Sequence, residues 1–324
     1  MPNIITHTLF ADEVLEILKI DSLDERKQIF EIGSNGPDIL FFHHMNPKDF
    51  YKKSRLPKLG SRLHSGNVND FYSSAINSIW NEKDPEIKED MIAYTAGHLC
   101  HWALDSSAHP LIYNRTGNCK GMSVNAHHRY ESILDSLMLK LKKNETIESF
   151  DITKKVTDSP LWMKRAIARV YIPALNSIFD DNLPAHVIAE TLDDWNFMQK
   201  LFRDPHNKKI PAAQMVDKLI GRPNQLAGYA VPNIPEDNYD IMNLKHELWR
   251  NPQTGQKSYE SFLDLYDSAM KKALTAIPLF LKACAKPKDE LAKKDLLDFV
   301  DNRNYCMGTS ENKDLKYFDL IDLS

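Results

Sequence analysis

The sequence predicts an all-α fold on three observations. Apolar residues recur at three- and four-residue steps nearly throughout, no run of alternating β-branched residues occurs, and glycine is scarce, at 11 of 324 residues. Phe10, Val14, Leu15 and Leu18 place an amphipathic helix over about 8–20. A second runs from a cap at Asp21 or Ser22 to Gly33, which sits where a left-handed C-terminal residue belongs. Residues 34–66 read as a long loop punctuated by Pro37, Pro47, Pro57 and Gly60. Asp84-Pro85-Glu86 then supplies a capping residue followed by proline at the first helical position. That helix is expected to end at His109, before Pro110. After a polar loop over 114–122, Val124, Tyr130, Ile133, Leu134, Leu137, Met138 and Leu141 mark another helical face. Further helices are expected near 160–180, 184–203, 257–283 and 287–300. The stretch 204–256, with six prolines, reads as mostly connecting structure.

Composition removes several function classes. Hydrophobic residues at 42% and charged residues at 27% are ordinary for a globular chain, so a disordered or fibrous protein is excluded. A net charge of −4 argues against a broad nucleic-acid surface and against polybasic attraction to anionic lipid. Four scattered cysteines without a CxxC pair make no disulfide framework. The opening MPNIITHTLFADEVLE lacks a basic n-region and breaks its apolar run at Asp12-Glu13, so it does not read as a signal peptide. With no apolar window of membrane-spanning length, a cytoplasmic address is expected, or a secreted one if the chain is a processed form.

Histidine is the oddity: nine of the 12 lie in the first 128 residues. The densest segment is GHLCHWALDSSAH, residues 97–109. On a helix His98, His101, Asp105 and His109 share one stripe about 80° wide. A solvated helix face normally carries Lys and Glu; imidazole nitrogen with carboxylate oxygen is a zinc ligand set. His127 and Glu131, four apart on the next helix, add a second pair, with His128 as the competing register. Asp38, His64 and His7 can contribute from outside these two helices.

The ITH at 5–7, the GPD at 36–38, His64, the H-x3-D-x3-H at 101–109 and the H-x3-E at 127–131 together resemble the zinc-dependent phospholipase C family. That family includes bacterial phosphatidylcholine-hydrolysing enzymes and the catalytic domain of glycosylphosphatidylinositol-specific phospholipase D. Single-strand-specific zinc nucleases share the fold and a similar site. The four-residue step from Asp105 to His109 resembles the glycosylphosphatidylinositol-type branch more than the secreted lecithinases. The resemblance implies two or three zinc ions per chain. One would take Asp38, His64, His101 and Asp105. A second would take His7, Asp105 as a bridge, and the amine and carbonyl of the N-terminal residue (Met1, or Pro2 after its removal). A third would take His109, His127 and Glu131. Two close cations can acidify a shared water and aim it at phosphorus, while a third offsets charge on the phosphoryl and leaving oxygens. Asp38 is the candidate to orient or deprotonate that water.

Among the remaining histidines, His43 and His44 read as loop residues or as supports behind a ligand, and His98 as a support or core residue. His186, His206 and His246 read as structural or surface positions, and Trp249 as core. The expected organisation is one helical domain over 1–300, its metal ligands within 1–131, followed by a polar extension over 301–324. The expected activity is a zinc-dependent, phospholipase C-like phosphodiesterase acting on a phospholipid or other small phosphodiester, without a stable nucleic-acid partner. The competing readings are a single-strand nuclease with the same centre and a zinc-binding or interaction protein with little turnover.

Overall fold

The computed structural model describes residues 4–49, 51–233 and 239–323. The helices are α1 (Ile4–Leu18), α2 (Asp21–Asp24), α3 (Lys27–Gly33), α4 (Leu56–Ser65), α5 (Val68–Asn81), α6 (Pro85–Thr116), α7 (Ser123–Lys143), α8 (Leu161–Phe179), α9 (His186–Phe202), α10 (Lys209–Leu219), α11 (Phe262–Ala285) and α12 (Glu290–Val300). Among the described residues the only sheet is a two-stranded antiparallel pair, β1 (Trp249–Arg250) with β2 (Lys257–Ser258). The all-α expectation holds, and most of the buried apolar side chains form one connected cluster that reaches from Ile4 to Tyr305.

The central element is α6. It starts as its sequence dictates, with the Asp84 carboxylate accepting from the amides of Glu86 and Ile87 and Pro85 following in the first turn. Helices α3, α8 and α11 pack around it, so most of its length is buried. Its contact with α3 is backbone on backbone: a Cβ on Gly33 would overlap the Tyr94 carbonyl, and one on Gly97 would overlap the Phe30 carbonyl. Gly33 therefore serves close approach inside α3, not the left-handed helix end that was expected. Left-handed helix ends are supplied instead by Asn144 after α7, Asp180 after α8 and Asp301 after α12, which is why so few glycines suffice.

Two further expectations are corrected. Pro110 does not stop α6, which continues for six residues to Thr116. Proline deprives the Ser106 carbonyl of its usual donor, and Gly308, at φ +65°, packs closely against that oxygen from the C-terminal segment. Residues 34–66 are not one loop, since they contain a 3₁₀ turn over Gly36–Phe42 and then α4. Pro37 and Pro57 lie at the starts of these elements, where a missing N–H costs nothing. The prolines mark beginnings.

The segment after α12 departs from a purely polar extension. Tyr305 and Met307 are buried, Trp102 on α6 donates through Nε1 to the Arg303 carbonyl at 2.8 Å, and the chain thereby returns to the middle of α6. Trp249 is core, as expected, with its indole N–H on the Glu260 carbonyl.

Candidate metal centre

Five elements converge on the middle of α6: α1 brings His7, the 3₁₀ turn Asp38, α4 His64, α6 His101, Asp105 and His109, and α7 His127 and Glu131. Local sequence explains each approach. Gly36, at φ +49°, lies so close against the His101 ring that any side chain there would overlap it, and this brings Asp38 to the ring. The first turn of α1 is held by Asp135, one turn beyond Glu131 on α7: its carboxylate accepts from the Ile5 amide at 3.1 Å and from the Thr6 amide and hydroxyl at 2.8 and 2.7 Å. That remote N-terminal cap sets where His7 points.

The donor atoms fall into three groups, each with its members within 4.8 Å of one another: His7, His101 and Asp105; Asp38, His64 and His101, sharing His101 with the first; and His109, His127 and Glu131. Asp105 turns its two oxygens to different rings, Oδ1 to His7 Nε2 at 3.1 Å and Oδ2 to His101 Nε2 at 3.0 Å. Asp38 Oδ1 lies 2.8 Å from His64 Nε2. Glu131 Oε1 lies 3.1 Å from His127 Nε2 and 3.3 Å from His109 Nε2. Ligands of a tetrahedral zinc at about 2.0–2.1 Å sit about 3.3 Å from each other, so these separations suit atoms sharing a cation.

The ring orientations have the same character. His64 Nδ1 is bonded to the Gly60 carbonyl at 2.8 Å, His101 Nδ1 to the Ser34 carbonyl at 3.2 Å, His109 Nδ1 to the Tyr305 carbonyl at 2.9 Å, and His127 Nδ1 meets the Thr116 hydroxyl at 3.4 Å. In each case the far nitrogen is engaged and Nε2 is left facing the cluster, as in metal-bound histidines. His101 Nε2 and Asp105 Oδ2 are buried and 3.0 Å apart, yet neither makes a hydrogen bond. Two buried polar atoms left so would each cost stability, and a cation between them satisfies both. The donor set fits zinc.

Electrostatics keep the carboxylates ionised. Burial pushes Asp105 up, but the rings of His101, His109 and His7 outweigh it and hold the carboxyl well below its usual range. Glu131 is likewise held down against burial, with His127 and His109 beside it. Burial depresses His98, with His101 and His64 adding to the effect, so its ring is neutral. His98 faces the other way, with Nδ1 3.0 Å from the Tyr72 hydroxyl and its ring stacked on Phe71, and supports the cluster from behind.

Of the two registers on α7, the structure brings His127 to Glu131, while His128 packs on the Tyr229 ring. The N-terminal residue expected as a further ligand lies outside the described residues. His43 points to Ser54 and to Glu190 on α9, with the His44 ring stacked on it. A cavity of about 420 Å³ opens onto Asp38, His64, His109 and His127, walled by Phe41, Met45, Tyr113, Cys119, Lys120, Tyr229 and Cys306. Sequence reasoning missed Tyr305 and Asp135. Tyr305 carried no signal, but Asp135 lies four residues beyond Glu131, on the same helical face.

A family model described as zinc dependent phospholipase C matches residues 6–181, more than half of the chain and a stretch that includes all eight donors. No curated protein and no solved structure matches.

Proposed function

Because the chain belongs to the zinc-dependent phospholipase C family, we propose that it is a phosphoric diester hydrolase acting on a phospholipid or another small phosphodiester at a centre of two or three zinc ions. The observation that carries this reading is Asp105, whose two oxygens each face a different histidine, as a carboxylate shared between cations must. When bound, zinc supplies Lewis acidity and a water acidified towards neutrality. Once metal displaces the ring protons, the three carboxylates Asp38, Asp105 and Glu131 carry −3, which loading with two or three dications would turn into a net positive floor for phosphoryl oxygens.

The chain's own residues do the rest. Asp38 lines the cavity and is the group placed to orient or accept a proton from the attacking water, beside its ligand role. His109, held by the Tyr305 carbonyl, and His127 with Glu131 form the wall towards which the phosphoryl and leaving oxygens would turn. Phe41, Met45, Tyr113 and Tyr229 give the cavity an apolar side suited to the lipid-bearing part of a diester. Among the described residues no helix is long and apolar enough to cross a membrane.

Elemental analysis of purified protein is expected to find two or three zinc ions per chain; one or none removes the multinuclear reading. Cleavage of a chromogenic phosphocholine diester, abolished by chelator and restored by zinc, is the expected activity. Turnover confined to single-stranded oligonucleotides would assign the centre to a nuclease, and full zinc with no phosphodiester turnover to a binding protein.

A further inference from the structure

A fourth group of metal-competent side chains lies away from this centre. His43 and His44 follow directly on the 3₁₀ turn, and His44, at φ +64°, folds back so that the two rings stack with centroids 3.8 Å apart. His43 Nδ1 is 2.7 Å from the Ser54 hydroxyl, which leaves Nε2 facing Glu190 Oε2 on α9 at 3.4 Å. One turn further along α9, Asp194 accepts the His44 backbone N–H at 2.8 Å and fixes the loop in place. One donor atom from each of His43, His44 and Glu190 lies within 4.8 Å of the others.

A hydrogen-bonded pair accounts for this poorly. At 3.4 Å the His43–Glu190 contact is long for an N–H···O bond, whose usual length is about 2.9–3.0 Å, yet it matches the edge of a tetrahedral zinc site. The Nδ1 of His44 is buried and has no hydrogen-bond partner. Protonating both stacked rings would set like charges face to face. Burial, and then the neighbouring His44, hold the His43 ring below its ordinary value and so in the neutral form that metals bind.

We propose that His43, His44 and Glu190 form an additional transition-metal site, open to solvent on the Glu190 side, that ties the segment following Asp38 to α9. Two imidazoles and a carboxylate suit zinc and its neighbours and not calcium or magnesium. Three protein ligands, one of them half-exposed, make it weaker and more exchangeable than a buried centre. Phe41 and Met45, which flank the pair in the chain, both line the cavity, so an ion here braces the cavity wall without touching substrate.

The test is zinc uptake by the full-length protein at free zinc concentrations set by chelator buffers, read by elemental analysis. The wild type is expected to take up one ion beyond its tight complement, and Glu190→Gln and His44→Ala to weaken that last step at least tenfold while the tight complement is unchanged. Identical isotherms for the wild type and Glu190→Gln overturn the proposal, as does a variant that loses only tight ions. Glu190 is half-exposed and its carboxylate reaches only His43 among the described residues, so Glu190→Gln is expected to fold and decides the matter if His44→Ala does not. Uptake is read without any substrate, so the result is independent of whether the chain cleaves phosphodiesters.

Discussion

Asp105 and His98 stand two turns apart on the same helix and were joined in one stripe by their spacing, but the structure gives them opposite work. Asp105 divides its oxygens between His7 and His101, whereas His98 turns its ring to Tyr72 and Phe71. Asp105→Asn is therefore expected to lose more bound zinc than His98→Ala, measured by elemental analysis after identical gel filtration; the reverse order would make His98 a ligand. His98→Ala should instead appear as lost stability, on the order of 2 kcal/mol or more for an emptied buried ring. The stripe on α6 and the His127–Glu131 pair were legible because four-residue steps on one helix are local facts. The support given by Tyr305, 196 residues from His109, was not, because periodicity says nothing about which distant carbonyl meets a ring.

Between elements, the decisive contact is the crossing of α3 and α6 at Gly33 and Gly97. Replacing Gly97 by alanine improves helix propensity by about 1 kcal/mol. The added methyl would overlap the Phe30 carbonyl, and forcing extra volume into a close-packed contact costs about 1–3 kcal/mol or more. The clash wins, and Gly97→Ala is expected to lower the urea midpoint; a midpoint at or above wild type would show that the helices can part cheaply. This crossing also delivers Ser34, Gly36 and Asp38 to His101, so an alanine here should loosen zinc binding as well. The ends of α8, α9, α11 and α12 could be read to within a few residues from their apolar faces, whereas α10 was hidden in the proline-bearing stretch 204–256. The turn and helix within 34–65 could not, since prolines that open elements look the same in sequence as prolines that end them.

At the scale of the molecule, stability should respond to one buried amine that takes no part in the centre. Lys272 on α11 reaches Ser106 Oγ at 3.2 Å, and burial, with Arg303 nearby, lowers it to about 8. Its folded value lies below its unfolded value of about 10.4, so the unfolded chain binds more protons between those limits and stability rises with pH across that window. Below about pH 8 the amine is charged in both states and its full burial cost is present. Lys272→Met is expected to stabilise the fold near pH 7 by about 1–3 kcal/mol, with the gain shrinking towards about pH 10, as urea unfolding at the two pH values would show. A gain that is the same at both would mean that packing, not charge, was changed. The all-α class was legible, though α4, α5 and α10 were not placed, and the return of the C-terminal segment onto α6 was not legible either, because 301–324 is polar in composition and its few anchors, Tyr305 and Met307, follow no helical period. That return has a consequence for synthesis. Every donor of the central cluster has been synthesised once Glu131 is made, but the carbonyl that aims His109 arrives only with Tyr305. At about 5–20 residues per second the nascent chain carries its histidines for roughly ten to thirty seconds before that last constraint exists. The centre can be completed only after Tyr305 has been made.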